Sequence, residues 1–264
     1  MGVCNVTPDS FSDGGRYFGA EAARARVDEL LAEGADLVDV GGESTRPGAA
    51  PVAAGEQLTR VLGVVQYAAS RGACVTVDTT SAPVAAACLD AGACAVNDVS
   101  CLRDVELAKV AAASGAALVL MHSRGTQEAM RGFSKYPDDA YGDVVADVCR
   151  EWTAAADRAR EAGVTELVMD PGLGFAKNAR QSMELLRRTN ELVDTLAVPV
   201  AIGASRKSFL TLVDPGAPPG ERLGASLAAA IDAMRKGAAI LRVHDVRATA
   251  QALDLTRSLA GKAP

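Results

Sequence analysis

The sequence predicts an α/β fold, and three observations predict it. Eight short apolar runs recur along the chain: Gly2–Asn5, Leu37–Val40, Cys74–Asp78, Ala95–Val99, Leu118–His122, Leu167–Asp170, Val198–Gly203 and Ile240–His244. Eight longer stretches with apolar residues at helical spacing lie between and after them. No linker-like or low-complexity break interrupts the alternation. Eight strand–helix units in one chain are the count for a closed parallel (β/α)8 TIM barrel. The expectation is one domain over residues 1–264, with its active site at the C-terminal ends of the strands.

Each element has its own justification. The apolar runs are too short for helices and too continuously apolar for strands with one wet face. Strands of a parallel sheet, buried on both faces, read this way. The helical stretches are Ala20–Glu33, Gly55–Ser70, Ala82–Ala91, Val105–Ala113, Asp143–Ala162, Arg180–Val193, Glu221–Lys236 and Arg247–Leu259. Gly34, Gly72, Gly92, Gly115, Gly163 and Gly237 follow six of them as C-terminal stop signals. Asp143–Arg160, which includes Trp152, reads as an ordinary solvated helix. An open doubly wound sheet would normally carry a G-x-G-x-x-G turn after its first strand, and the segment Thr7–Gly15 lacks that spacing. Met1 stands directly before the first run, so this end is expected to be trimmed or minimal.

Composition excludes several classes. Acidic residues outnumber basic ones, 33 to 27, for a net charge of −6, which argues against a nucleic-acid surface. No apolar run is long enough to cross a bilayer and no export signal is visible, so no membrane partner and a cytoplasmic location are expected. The six cysteines (Cys4, Cys74, Cys88, Cys94, Cys101 and Cys149) include no C-x-x-C pair and are expected to be free, with Cys4, Cys74 and Cys94 packing as small hydrophobes.

Nearly every apolar run ends in a polar residue. Turns begin with Asp and Asn anyway, but eight such ends in register point to one shared mouth. Asp78, Asn97, Asp170 and Lys207 supply directional donors and acceptors suited to a flat heterocycle with ring nitrogens and an exocyclic amine. Arg46, Arg206, Arg242 and His244 form a cationic set suited to a phosphate or pyrophosphate. Asn5 and Asp13 could offer oxygens to Mg2+. With two histidines and no nucleophile elbow, a covalent triad is not expected. Each residue also has a plainer reading: Asp78 and Asp170 as loop caps, Arg242 as a rim residue, and His122 and Asp98 as structural groups.

The motifs resemble those of the dihydropteroate synthases. Met1-Gly2-Val3-Cys4-Asn5-Val6-Thr7-Pro8-Asp9-Ser10-Phe11-Ser12-Asp13-Gly14-Gly15 is similar to the family's opening signature, and Asp39-Val40-Gly41-Gly42-Glu43-Ser44-Thr45-Arg46-Pro47-Gly48 to its second. Shorter matches follow in family order at Val77–Thr79, Asn97–Ser100, Leu120–His122, Asp170–Lys177, Ser205–Phe209 and Arg242–Val246. The resemblance implies condensation of 6-hydroxymethyl-7,8-dihydropterin pyrophosphate with 4-aminobenzoate, giving 7,8-dihydropteroate and pyrophosphate. It implies catalytic roles for Asp78, Asp170, Lys207, Arg242 and His244.

By the same resemblance, Asp78, Asn97, Val99, Met121, Asp170 and Lys207 bind the pterin. Asn5, Arg242 and His244 bind the pyrophosphate, with Mg2+ as cofactor held through Asn5. Phe11, Asp13, Thr45, Arg46, Pro47, Phe175 and Ser208 form the aminobenzoate site and its loops. Sulfonamides are the implied inhibitors and a homodimer the implied assembly. A methyltetrahydrofolate-type methyltransferase or a non-catalytic pterin binder is the alternative. Cys101 stands where the family usually has Gly, which would strain a backbone of positive φ there.

Overall fold

The computed structural model describes residues 1–7, 19–44, 50–126 and 136–261. Among these residues eight parallel strands form in chain order: β1 (Gly2–Asn5), β2 (Leu37–Gly41), β3 (Cys74–Asp78), β4 (Ala95–Asp98), β5 (Ala117–Met121), β6 (Leu167–Asp170), β7 (Ala201–Ile202) and β8 (Ile240–Leu241). The first six make one continuous sheet in sequential order, and β7 pairs with β8. Single parallel bridges complete the circuit: Met169 of β6 pairs with Val200 beside β7, and Gly2 of β1 pairs with Val243 beyond β8. Backbone bonds from Met169 N to Pro199 O (2.9 Å), Val3 N to Val243 O (3.1 Å) and Val243 N to Met1 O (2.9 Å) hold these seams. The sheet therefore closes into the expected barrel.

Helices α1 (Ala20–Ala32), α2 (Ala54–Ser70), α3 (Ala82–Asp90), α4 (Val105–Ala113), α5 (Val144–Glu161), α6 (Ala179–Arg187), α7 (Thr189–Leu196), α8 (Leu223–Arg235) and α9 (Val246–Leu259) cover the outside. Local chemistry starts several of them. Asp104 accepts from Glu106 N to begin α4, and Asp143 accepts from Val145 N and Ala146 N to begin α5. Asn178 and Gln181 form a reciprocal capping box at α6.

Strand periodicity decides which side chains reach the barrel interior. Val38, Val40, Val75, Val77, Val96, Leu118, Leu120 and Met169 join the large aliphatic cluster shared with the helices. The alternate residues Asp39, Thr76, Asp78 and Asn97 point the other way, and all are buried. Asp98 lies on the outward register. Its carboxylate accepts from Ser100 N (2.8 Å) and Leu102 N (2.6 Å), the structural role expected of it.

Three expectations are corrected. Cys74 and Cys94 are not free buried hydrophobes: they are exposed, and they form a disulfide with Cα atoms 6.1 Å apart. A search for C-x-x-C could not find it, because the partners stand 20 residues apart, one β/α unit, and meet only when β3 and β4 pair. Cys4, Cys88, Cys101 and Cys149 are free. The helix expected over Arg180–Val193 is two helices, broken at Arg188, whose φ of −109° and ψ of 29° leave the helical region. Finally, α5 is not an ordinary solvated helix. Trp152 is buried and donates from Nε1 to Leu120 O at 2.7 Å, so one face of this strongly amphipathic helix is core.

Candidate active site

The strand ends on the β2–β4 side carry an acidic cluster around one guanidinium. Arg242, just beyond β8, donates from Nε to Asp39 Oδ2 (2.7 Å) and from Nη2 to Asp78 Oδ2 (3.0 Å). Asp39 also accepts from Asn97 Nδ2 at 3.3 Å and from Thr76 Oγ1. Asp78 Oδ1 is buried with no hydrogen-bond partner among the described residues. A buried carboxylate oxygen left without a donor is costly unless a ligand supplies one. Burial, then the neighbouring Asp39 charge, pushes the Asp78 carboxyl up to about 8, against the pull of Arg242.

The β6–β7 side is built from loops. Asp170, at the end of β6, accepts from Gly172 N at 2.7 Å through Oδ1, so one oxygen does cap its own loop. Its other oxygen faces Gly203. A Cβ placed at Gly203 would lie 3.7 Å from Lys207 Nζ, 3.8 Å from Arg242 Cβ and 3.8 Å from Asp170 Oδ2. Glycine thus keeps open the space on which these three converge. Lys207 Nζ donates to Leu173 O at 2.6 Å and lies 4.8 Å from the centre of the Phe175 ring. Burial pushes the Lys207 ammonium down to about 8 although Asp170 favours the charge. Val99, Met121 and Phe175 pack together as a small apolar cluster of their own.

The third wall joins β1 and β8. Asn5 Oδ1 and Asp78 Cβ would each lie 3.4 Å from a Cβ at Gly41, so a second glycine leaves room between them. His244 is half-buried and held away from its charged form, down to about 3, first by desolvation and then by Arg242 and Arg206. Its backbone N donates to Ser205 Oγ (3.2 Å), and its Nδ1 lies 3.1 Å from the same oxygen. In the tautomer in which the Ser205 hydroxyl donates to Nδ1, the ring proton stands on Nε2. Arg206 is not a free member of the cationic set: Asp245 holds it bidentately at 2.9 and 2.5 Å.

The structure therefore brings Asn5, Asp78, Asn97, Val99, Met121, Asp170, Phe175, Lys207, Arg242 and His244 to one end of the barrel. Ser208 begins a 3-10 helix beside Lys207, with its Oγ buried and unpartnered. Phe11, Asp13, Thr45, Arg46 and Pro47 lie outside the described residues. Sequence reasoning gave no role to Asp39, the acceptor that Arg242 and Asn97 share, although a carboxylate inside the apolar run Leu37–Val40 was a legible sign. Lys177, Glu151 and Arg124, treated below, were also missed. His122 is structural in the sense expected, buried between Lys177 and Glu151.

A family model described as pterin binding enzyme matches residues 1–244. The chain belongs to this family. It is 45% identical over 262 residues to the dihydropteroate synthase of Mycobacterium leprae, covering 96% of this chain and 90% of that one. The crystal structure of the Yersinia pestis dihydropteroate synthase with a sulfonamide drug superposes with a TM-score of 0.91 at 38% identity, covering 99% of this chain and 94% of that one. The Thermus thermophilus enzyme in complex with 4-aminobenzoate superposes with a TM-score of 0.86 at 40% identity, covering 98% and 93%. The chain also covers 30% of a longer relative from Haloferax volcanii, described as a probable bifunctional folylpolyglutamate synthase/dihydropteroate synthase and 42% identical.

Proposed function

We propose that the chain is a dihydropteroate synthase, a transferase of folate biosynthesis that joins 6-hydroxymethyl-7,8-dihydropterin pyrophosphate to 4-aminobenzoate. The observation that carries this reading is the buried, unpartnered Oδ1 of Asp78, set beside Asn97 and Arg242 in a pterin-binding barrel. A pterin presents an amide N–H and an exocyclic amine on one edge, the donors that such an oxygen lacks. Asn97, Asp170 and Lys207 serve the rest of the ring edge, and Val99 and Met121 offer an apolar surface for its face.

Arg242 and the Nε2–H of His244 face the departing pyrophosphate, where they stabilise charge as it develops. Asn5 is the candidate oxygen donor for Mg2+. No group of three His, Cys, Asp or Glu that could hold a metal occurs among the described residues. One amide oxygen beside the space kept by Gly41 suits an ion that takes most of its ligands from waters and substrate phosphates. Such an ion would neutralise leaving-group charge. The aryl amine is unprotonated near neutral pH and needs no strong base. Phe175 and Ser208, with Phe11, Asp13, Thr45, Arg46 and Pro47, are the proposed amine site.

The complexes formed by relatives with a sulfonamide and with 4-aminobenzoate support inhibition competitive with the amine. No helix among the described residues is long and apolar enough to cross a membrane. We place the enzyme in the cytoplasm as a homodimer, without nucleic-acid partners. The test is pyrophosphate release with each substrate alone and with both. Release that requires both supports the reading. Pterin binding without release points to a binder, and methyl transfer from a reduced folate to the methyltransferase alternative.

A further inference from the structure

Lys177 is fully buried, 0% exposed, in the loop between β6 and α6. Lysine is almost never fully buried unless its charge is met. Among the described residues no carboxylate touches the ammonium. Its Nζ meets three acceptors instead: His122 Nδ1 at 2.9 Å, Phe175 O at 3.1 Å and Gly172 O at 3.3 Å. Those match the three donors of an ammonium. The arrangement fixes the tautomer of His122, because an Nδ1 that accepts leaves the proton on Nε2, which then donates to Glu151 Oε2 at 3.1 Å. Glu151, on α5, is held in turn by Arg124, whose Nε lies 2.8 Å from Oε2. Arg124 stacks 3.8 Å from the centre of the Tyr141 ring, and Tyr141 donates to Ala176 O at 2.9 Å. The favourable carboxylate charge acting on Lys177 comes from Asp170, and Glu151 fixes the neutral imidazole that accepts from it.

The two carbonyls that Lys177 grips flank Leu173, whose own carbonyl fixes Lys207 Nζ at 2.6 Å. The second of them belongs to Phe175, whose ring covers Lys207. The loop also contains Ala176 at a φ of 49°, a backbone state that a side chain disfavours and that packing must impose. We propose that Lys177 is a positioning residue for the transfer reaction: through the carbonyls of Gly172 and Phe175 it sets the β6–α6 loop that aims Lys207 and places Phe175 at the amine site. This rests on the synthase reading of the same site. Burial holds the Lys177 ammonium down to about 7, opposed by Asp170 and aided by Lys207 and Arg124, with Cys101 also facing it. The grip therefore weakens as pH rises through that region, when one donor hydrogen is lost.

The test compares wild type with Lys177→Met, which keeps the stem and removes the donors. The expected outcome is a rise of about tenfold in the KM for the aryl amine and a smaller loss of pterin pyrophosphate affinity, under about fivefold, because Lys207 is only one of the ring-edge groups and Asp78 and Asn97 sit on strand ends that Lys177 does not touch. Acylation of Lys207, read by peptide mass spectrometry, should become faster in the variant. Should Lys177→Met fail to fold, Glu151→Gln removes the carboxylate that fixes the imidazole from a partly exposed position and should shift both readouts in the same direction by less.

A folded variant with unchanged amine KM and unchanged Lys207 acylation overturns the proposal. So does a loss of activity that only tracks the loss of folded protein. If wild type releases no pyrophosphate with both substrates, the synthase reading falls while the Lys207 acylation rates still decide the positioning claim.

Discussion

The floor and the mouth of this barrel turn the chain by different means. At the floor, where helices return to strands, six turns place a glycine at positive φ: Gly34, Gly72, Gly92, Gly115, Gly163 and Gly237. Ala197, after α7, is the one described floor turn with a side chain in that state. At the mouth, Gly125, Gly172 and Gly174 are joined by Cys101, Leu102, Ala176 and Arg206, all at φ between 49° and 62°. Non-glycine residues there store backbone energy that the surrounding contacts must offset. The floor is built at low local energy. The mouth spends stability on holding loops beside unpaired polar atoms such as Asp78 Oδ1 and Ser208 Oγ. Substitutions at the floor should accordingly change stability and spare binding, whereas those at the mouth should couple the two.

The largest expected effect is at Gly172. A Cβ there would lie 2.1 Å from His122 O, a backbone atom that cannot swing aside, and φ is +66°. Gly172→Ala should cost on the order of 3 kcal/mol or more and displace Asp170 and Lys207 together. Urea unfolding and pterin calorimetry on the same preparation check this, and a stable variant that still binds pterin would separate the loop from the site.

The floor offers the contrasting test. The Cys74–Cys94 disulfide closes 20 residues and lies at the N-terminal ends of β3 and β4, far from Lys207 and Phe175. Replacing both cysteines by Ser should lower stability by about 3 kcal/mol through the greater entropy of the unfolded chain. KM for both substrates should stay unchanged. Reduction of the wild type should give the same shift in the unfolding midpoint. A binding defect in the double variant would break the division between floor and mouth.

Both histidines of the chain lie in the mouth. Burial holds His122 down to about 4, so the folded ring stays neutral while the unfolded one takes up a proton below about 6.5. Its contribution to stability therefore falls as pH drops from about 6.5 towards 4. Asp78, raised to about 8, acts in the opposite sense over that range, since its folded form keeps a proton that the unfolded chain has released. Subtracting His122→Gln from wild type cancels Asp78. The difference in unfolding free energy between the two should shrink by about 2 kcal/mol between pH 7 and pH 5. A difference independent of pH would mean that His122 is charged in the folded protein.

The same contrast explains what the sequence makes legible. The floor obeys local rules, so strand starts, helix ends and their glycines can be read directly, and Gly34 or Gly163 marks a boundary without help from tertiary structure. The strand-end residues Asp78, Asn97 and Asp170 are also readable, because a period of two carries them to one mouth. Asp39 needed one more step: its neighbours Val38 and Val40 face the helices, so it must face inward. Lys177 and Glu151 were hidden. Their roles depend on a contact between a β6–α6 loop and α5 that no spacing encodes, and helical periodicity alone gave Glu151 to solvent. The disulfide was hidden for the same reason.

The smallest effect is the one that the sequence already suggests. Cys101 stands where related motifs carry glycine, and its φ of 62° is the strained state expected there. Its side chain is partly buried against the core, so part of the strain is offset by contacts that glycine would lose. Removing a Cβ from the left-handed region gains roughly 1 kcal/mol, while the added freedom of glycine in the unfolded chain takes some of it back. Cys101→Gly should therefore raise stability by no more than about 0.5 kcal/mol. Because Asn97 lies on the strand end and Val99 at the very start of the turn, two residues before Cys101, pterin affinity should stay the same. Thermal unfolding and calorimetry together decide it. A loss of stability would mean that packing of the Cys101 side chain outweighs its backbone strain, and that the mouth tolerates side chains at positive φ because it uses them.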